Sequence, residues 1–377
     1  MVLILVAIIY SKLKKNISGN ENANFVSIIL FFSLWLISGF RVAGTDYIAY
    51  RNYFEIIDAY SLSFPLYERG YYLLNKLISI CTDNYQYVFI ITSFITIYLI
   101  STTLKKYSVS YFFSLFLFVS LYFYYNSFNL VRQYIAIAIV FYSLKYILNK
   151  NFKRFLIGTL VASLFHTTAL VILPFYWLAR LKIDNFVYFI LPFITFGVSF
   201  FTPTIVKLIS FIYPKFDAYV NYNSEGASSY SIIIISAFTL LYSLVYKKRL
   251  LDINKGNLII INLVYFSLIF TILSMENILF FRVSMYLYIF IVLLIPVCFK
   301  TLNRYLRVST YFFSIPIFIA YNYYLFINNT GGVLPYDFNF KLSFFDSNMI
   351  IILIVLSLLF FTVRLIKISR LFLKVKL

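Results

Sequence analysis

Six residues in this chain have side chains that can do chemistry where most of their neighbours are apolar. Arg41, Arg132 and Arg282 each lie beside or a few residues inside a long hydrophobic run. His166 is the single histidine, and Asp46 and Glu68 follow Arg41 in the same polar stretch. An arginine offers a planar, permanently charged fork that matches phosphate oxygens bidentately. A histidine or carboxylate can take a proton from a hydroxyl nucleophile. Each residue also has a plainer reading. Arg41, just past a helix end, could serve as an interfacial anchor. Arg132 follows YYNSFN and could cap a helix or sit in a structural ion pair, and His166 has Thr167 and Thr168 as local partners. Asp46 and Glu68 could be solvated loop charges. Cys81 and Cys298 fall in no ligand spacing and no Cys/His cluster exists, so no metal ligands are nominated.

The elements that must position these residues follow from composition. Of 377 residues, 62% are hydrophobic and 12% charged, against about 45–50% and about 25% in soluble domains. Apolar runs of about 17–25 residues recur, the length a helix needs to cross hydrocarbon, and such helices satisfy their own backbone polar groups. The expected fold is all-α: a polytopic transmembrane helical bundle. Spans are placed near residues 1–13, 24–40, 85–104, 109–126, 131–148, 186–203, 230–246, 257–274, 279–299, 308–327 and 348–366. The first lacks the small-residue cleavage site of a signal peptide and is kept as a helix. No repeat of 20–50 residues is visible, so residues 1–377 read as one membrane domain with outer loops 41–84, 204–229 and 328–347.

Two apolar stretches are ambiguous. Residues 66–81 contain Glu68, Arg69 and Lys76 and read as interfacial. Residues 155–178 would ordinarily count as a span, but Gly158, Ser163, His166, Thr167, Thr168 and Pro174 interrupt them. Cytoplasmic loops carry an excess of Lys and Arg. If 155–178 dips in and returns to the same side, 23 of the 32 basic residues share one face with only three acids. A full crossing would scatter them. The expected topology is therefore about 11 spanning helices plus one re-entrant hairpin at 155–178, with an external N-terminus and a cytoplasmic C-terminus. The net charge of +19 then reports membrane orientation, and no nucleic-acid partner is expected.

That topology gathers the costly polar residues on the outer side. Arg41, Gly44, Asp46 and Tyr50 follow the second span, and Arg132 and Gln133 open the span at 131–148. His166 marks the hairpin's turning point, Arg282 lies a few residues inside its span, and Pro335 and Tyr336 occupy the last outer loop. An ionisable residue in a membrane segment is a functional hypothesis by default. Three arginines and a histidine facing outward suit an anionic substrate that stays in the bilayer, and a lipid-linked pyrophosphate sugar fits: its leaving group develops charge that fixed cations can stabilise.

The stretch Gly39-Phe40-Arg41-Val42-Ala43-Gly44-Thr45-Asp46-Tyr47, with Tyr50 one turn on, resembles the signature of EpsG-like proteins, a branch of the Wzy-type polysaccharide repeat-unit polymerases. The resemblance continues at Glu68-Arg69-Gly70-Tyr71, at Asn129-Leu130-Val131-Arg132-Gln133, at Phe165-His166-Thr167-Thr168-Ala169-Leu170 and at Arg282-Val283-Ser284-Met285-Tyr286, and more weakly at Pro335-Tyr336. It implies an enzyme that polymerises undecaprenyl-pyrophosphate-linked oligosaccharides, as donor and acceptor, on the outer face of the bacterial cytoplasmic (inner) membrane. The product would be O-antigen, capsule or exopolysaccharide. The resemblance implies no cofactor and no metal; a chain-length regulator protein is a further expected partner beside the lipid bilayer. On this reading Arg282 and Arg132 hold the donor pyrophosphate with Arg41 assisting, and His166 is the general base with Asp46 or Glu68 as the alternative. Gln133, Tyr47, Tyr50 and Tyr336 position substrate, aromatic rings offering flat faces to sugars. Two other functions remain open from the residues alone: a flippase or exporter of lipid-linked sugars, and a membrane O-acyltransferase that decorates surface glycans.

Overall fold

The computed structural model describes residues 21–62, 66–212 and 227–339. The expected spans at 1–13 and 348–366 lie outside these residues, as do parts of the outer loops 204–229 and 328–347. In chain order the helices are α1 (Glu21–Gly39), α2 (Tyr47–Glu55), α3 (Arg69–Cys81), α4 (Gln86–Tyr107), α5 (Tyr111–Ser120) and α6 (Phe123–Asn129). Then come α7 (Val131–Tyr142), α8 (Leu144–Leu148), α9 (Phe152–Ser163), α10 (Phe175–Leu178), α11 (Asn185–Ser199) and α12 (Thr202–Ile212). The series closes with α13 (Ala227–Val245), α14 (Lys247–Ile253), α15 (Asn257–Leu273), α16 (Ile278–Tyr288), α17 (Ile291–Lys300) and α18 (Arg304–Ile327). The chain is an all-α membrane protein.

Three described helical stretches are long and apolar enough to cross a membrane, Gln86–Tyr107, Val131–Leu148 and Arg304–Ile327. The number rises to six if each bent pair counts as one span. The bends are 72° between α11 and α12, 82° between α13 and α14, and 46° between α16 and α17. Several expected spans are therefore broken. The run 109–126 splits into α5 and α6 at Tyr122, whose φ of 70° lies in the left-handed region that interrupts a right-handed helix. Such breaks are tolerated at membrane depth where protein buries them, and Leu121, Tyr122 and Phe123 are all buried.

The interior is built on α4, α7, α15, α16 and α17, where α17 residues such as Leu293 and Leu294 are fully enclosed. Outer helices turn large apolar side chains away from the protein, as at Phe193, Phe238 and Phe312, the inverse of a soluble surface. Helices approach closely where side chains are small: a Cβ at Gly39 of α1 would sit 3.1 Å from the Ile90 backbone of α4. The Trp35 indole donates to Ile90 O at 2.9 Å on the same seam.

Helix α3, within the stretch 66–81 that the sequence reads as interfacial, is too short to span a membrane. Its 13 residues rise roughly 20 Å, short of a hydrocarbon core, and it buries Tyr71, Tyr72, Asn75 and Ile78 while exposing Leu73, Leu77 and Ile80.

Residues 152–178 form a hairpin. Helix α9 is capped by the Asn151 side chain, which accepts from Arg154 N. It ends at Leu164–His166, and the chain returns through a 3-10 turn at Thr167–Ile172 and then α10. The two ends meet: the Phe152 ring lies 5.1 Å from Tyr176 and 4.7 Å from Trp177, and Phe155 lies 5.4 Å from Tyr176. A straight span would hold these residues a membrane's thickness apart. The carbonyls freed where α10 ends find buried partners: Asn262 of α15 donates to Ala179 O and Leu181 O at 2.9 and 2.8 Å. Arg180 donates to Tyr176 O and Ile147 O.

The polar loop after α1 is also ordered. Residues Arg41–Val42 (β1) pair antiparallel with Asp337–Phe338 (β2). Gly44 N donates to Gly332 O and Thr45 N to Gly331 O, with Gly44 at φ +111°, a conformation open to glycine. Asn129 donates to Gly331 O at 2.6 Å. The loop after α18 is thus strapped across the loop after α1.

Candidate active site

The tip of the hairpin meets the start of α3, and several of the residues nominated from sequence gather at this junction. Gly70 N donates to Leu164 O at 2.8 Å, an approach that only a residue without Cβ allows. A Cβ at Gly70 would stand 2.7 Å from the Leu164 carbonyl oxygen and 3.0 Å from its carbon. Gly70→Ala therefore destabilises the protein by about 1–3 kcal/mol, read as a lower melting temperature in detergent. A variant melting with the wild type contradicts this close approach.

One residue earlier, Glu68 is the N-cap of α3, yet its carboxylate does not cap its own helix. It reaches across instead. Oε1 lies 3.0 Å from His166 Nδ1 and accepts weakly from Thr167 N at 3.4 Å, while Oε2 takes an ion pair from Arg132 at the start of α7. The Glu68 and His166 side chains are each 8% exposed and that of Arg132 is 21% exposed. Burial alone would raise the Glu68 carboxyl, but the His166 hydrogen bond and the Arg132 charge outweigh it and hold it at about 2, below the usual 4.5. This depressed carboxylate stabilises the fold at neutral pH, and that contribution is lost only as pH falls from about 4.5 toward about 2. Glu68 is therefore a fixed anion.

An ionised carboxylate at Nδ1 favours the tautomer with the proton on Nδ1, leaving a lone pair on Nε2. His166 Nε2 is buried and has no hydrogen-bond partner. The Arg132 guanidinium stacks on Tyr67 at 4.0 Å, and its charge reaches Tyr50, which packs edge-on against Tyr71 at 5.7 Å. Gln133, next on α7, donates to Arg282 O of α16 at 2.7 Å, and its Oε1 is buried without a partner. The half-buried Arg282 adds positive charge beside His166. Thr168 donates to the Tyr286 hydroxyl at 3.3 Å, tying the hairpin to α16.

Of the residues nominated from sequence, the structure brings together His166, Glu68, Arg132, Gln133, Tyr50 and Arg282. Asp46 sits at the rim: it is half-buried, and its charge reaches Tyr50 and Tyr67, the tyrosines that flank Arg132. Three others serve as scaffold in this structure. Tyr336 donates to Ile37 O at 2.6 Å. Tyr47 stacks on Phe89 at 4.6 Å and donates to Gln86 at 3.2 Å. Arg41 is 1% exposed; it donates to Ser38 O and, at 2.8 Å, to Phe128 O, and its guanidinium lies over the Phe89 and Phe128 rings at 4.9 and 4.7 Å. Those carbonyls belong to the last turns of α1 and α6, where helix dipoles are negative, so among the described residues a buried cation stands there without a carboxylate.

Arg41→Lys removes the fork that joins two helix ends. Leaving buried acceptors unpaired typically costs about 1–3 kcal/mol, so the variant melts earlier. A variant that melts with the wild type contradicts this bridging role.

Tyr67, Thr168 and Tyr286 are site residues that the sequence reading does not nominate. Tyr67 immediately precedes Glu68, and Tyr286 lies one helical turn beyond Arg282, on the same face.

The residues that converge here, Glu68 and Gly70, Arg132 and Gln133, His166 and Arg282, come from separate parts of the chain. The family model of the EpsG family matches residues 24–338, a range that contains every one of them. The chain belongs to the EpsG family. No curated protein and no solved structure matches it. Within the EpsG match, the Arg41 loop packs as part of the frame, and Glu68, His166 and Arg132 form one hydrogen-bonded polar cluster.

Proposed function

We propose that this EpsG-family protein polymerises lipid-linked oligosaccharide repeats on the outer face of the cytoplasmic membrane, taking undecaprenyl-pyrophosphate-linked units as both donor and acceptor. The observation that carries the reading is the buried, unpartnered Nε2 of His166, with Nδ1 held by an ionised carboxylate and two arginines alongside. In the reaction, a hydroxyl at the nonreducing end of the acceptor attacks the anomeric carbon of the growing chain. Its proton passes to His166 Nε2 as the new C–O bond forms. The bond from the anomeric carbon to the pyrophosphate oxygen breaks, and the electron pair leaves with undecaprenyl pyrophosphate. Arg282 and the outward-facing part of Arg132 meet the charge that grows on that leaving group. Glu68 keeps His166 in the competent tautomer.

A deletion strain tests this reading directly. It accumulates single repeats on the lipid carrier and shows short, chemically normal surface glycan, restored to long chains by the wild-type gene. Complete loss of surface glycan would favour an exporter, and long but unmodified chains an acyltransferase.

The orientation is part of the proposal. Reporter fusions after Lys182 and after Lys255 both behave as cytoplasmic, because a hairpin at 152–178 returns the chain to the side it left. Either fusion appearing external contradicts it.

A further inference from the structure

Resting on the polymerase reading, we infer that Glu68 couples donor binding to base strength: an anion seated on Arg132 draws the guanidinium away from the carboxylate and leaves that negative charge to His166 alone. Each Glu68 oxygen has its own main partner, Oε1 toward His166 and Oε2 toward Arg132, so the two compete for one charge. Arg132 is the most exposed of the three side chains, at 21% against 8% for each of the others, and is the member an incoming group reaches first. Its Nε is buried without a partner, so its donor set is incomplete while it faces Glu68. A pyrophosphate group offers more charge and more acceptor oxygens than a carboxylate, and charge-assisted bonds to it are strong.

The charged groups facing His166 are Glu68 from the start of α3, Arg132 from α7 and Arg282 from α16. The Tyr286 hydroxyl stands behind Thr168. Withdrawing Arg132 removes a cation that opposes protonation of the ring and frees the anion that favours it. His166 is then a stronger base with donor bound than in the empty protein. Premature deprotonation of an acceptor, or of water, is thereby discouraged.

The single histidine makes the test clean. The full-length protein, carrying isotope-labelled histidine, is placed in phosphatidylcholine nanodiscs, which present no anionic lipid. The ring is titrated by NMR with and without inorganic pyrophosphate, whose binding is followed separately by calorimetry. In the wild type, saturation moves the His166 midpoint to higher pH by on the order of 1 unit. In Arg132→Gln the midpoint is already higher before ligand is added, and pyrophosphate, still held through Arg282, moves it little. Glu68→Gln also abolishes the ligand-dependent shift and serves as the deciding variant should Arg132→Gln not fold. Binding with no movement of the wild-type midpoint overturns the coupling and leaves the polymerase reading standing, as does a full shift that persists in both variants. Absence of binding overturns the donor-site reading together with the coupling.

Discussion

On the proposed function, His166→Gln is expected to extend lipid-linked repeats about 10²–10⁴-fold more slowly than the wild type, the range lost with a general base. Glutamine can still hydrogen-bond Glu68 through its amide, so the junction between α3 and the hairpin tip is kept. It cannot take a proton at neutral pH. The arginines are untouched, so donor binding persists while chain growth fails. A purified, defined-lipid assay measures the rate and a thermal melt confirms the fold. Full activity in a variant that melts normally would remove His166 from the chemistry and leave Asp46, at the rim beside Tyr50 and Tyr67, as the remaining candidate.

Glu68→Gln is expected to be about as damaging, with a loss on the order of 10²–10⁴, for a different reason. Neutralising the carboxylate beside a catalytic imidazole permits the wrong tautomer, an effect that reaches about 10⁴ in the hydrolase triads where it is known. Here the amide of the new residue can donate to Nδ1, which moves the imidazole proton to Nε2 and blocks the lone pair that must accept from the acceptor. The same change strands Arg132 without its buried counter-ion. The two consequences separate experimentally. If tautomer control dominates, the rate falls while donor affinity holds or rises, because Arg132 is released. If the change merely loosens the site, donor affinity and melting temperature fall together with rate. Glu68→Asp, which keeps the charge on a shorter arm, recovers part of the rate only in the first case.

The sequence made the architecture legible because a bilayer constrains composition and loop charge so strongly. The hairpin at 155–178 followed from interrupting polar residues and from the face on which later lysines and arginines would fall, and the contact of Phe152 with Tyr176 and Trp177 bears it out. The breaks inside spans were not legible. Tyr122 takes a left-handed conformation with no glycine to mark it, and α16 and α17 separate at Ile289–Phe290 although the proline lies at Pro296, inside α17.

At the site, residue types were readable, but pairing was not. Asp46 and Glu68 are equivalent carboxylates in one loop, and only the approach of Gly70 to Leu164 decides which of them meets a histidine 98 positions away. Arg41 resembled a ligand for phosphate because its signal is a charge at a membrane boundary. Its acceptors are main-chain carbonyls, one of them 87 residues distant, and carbonyls leave no trace in side-chain identity. Tyr67 was hidden among 36 tyrosines, where no single ring stands out.

On the proposed function, this chain by itself joins lipid-linked repeats. The most direct measurement is reconstitution of the purified protein in liposomes with one synthetic undecaprenyl-pyrophosphate oligosaccharide, followed by analysis of chain length and released lipid. The expected result is a ladder of multiples of the repeat, with one undecaprenyl pyrophosphate released for every linkage formed, and no ladder with His166→Gln. Substrate that crosses the bilayer or remains a single repeat, with no lipid pyrophosphate released, would contradict it.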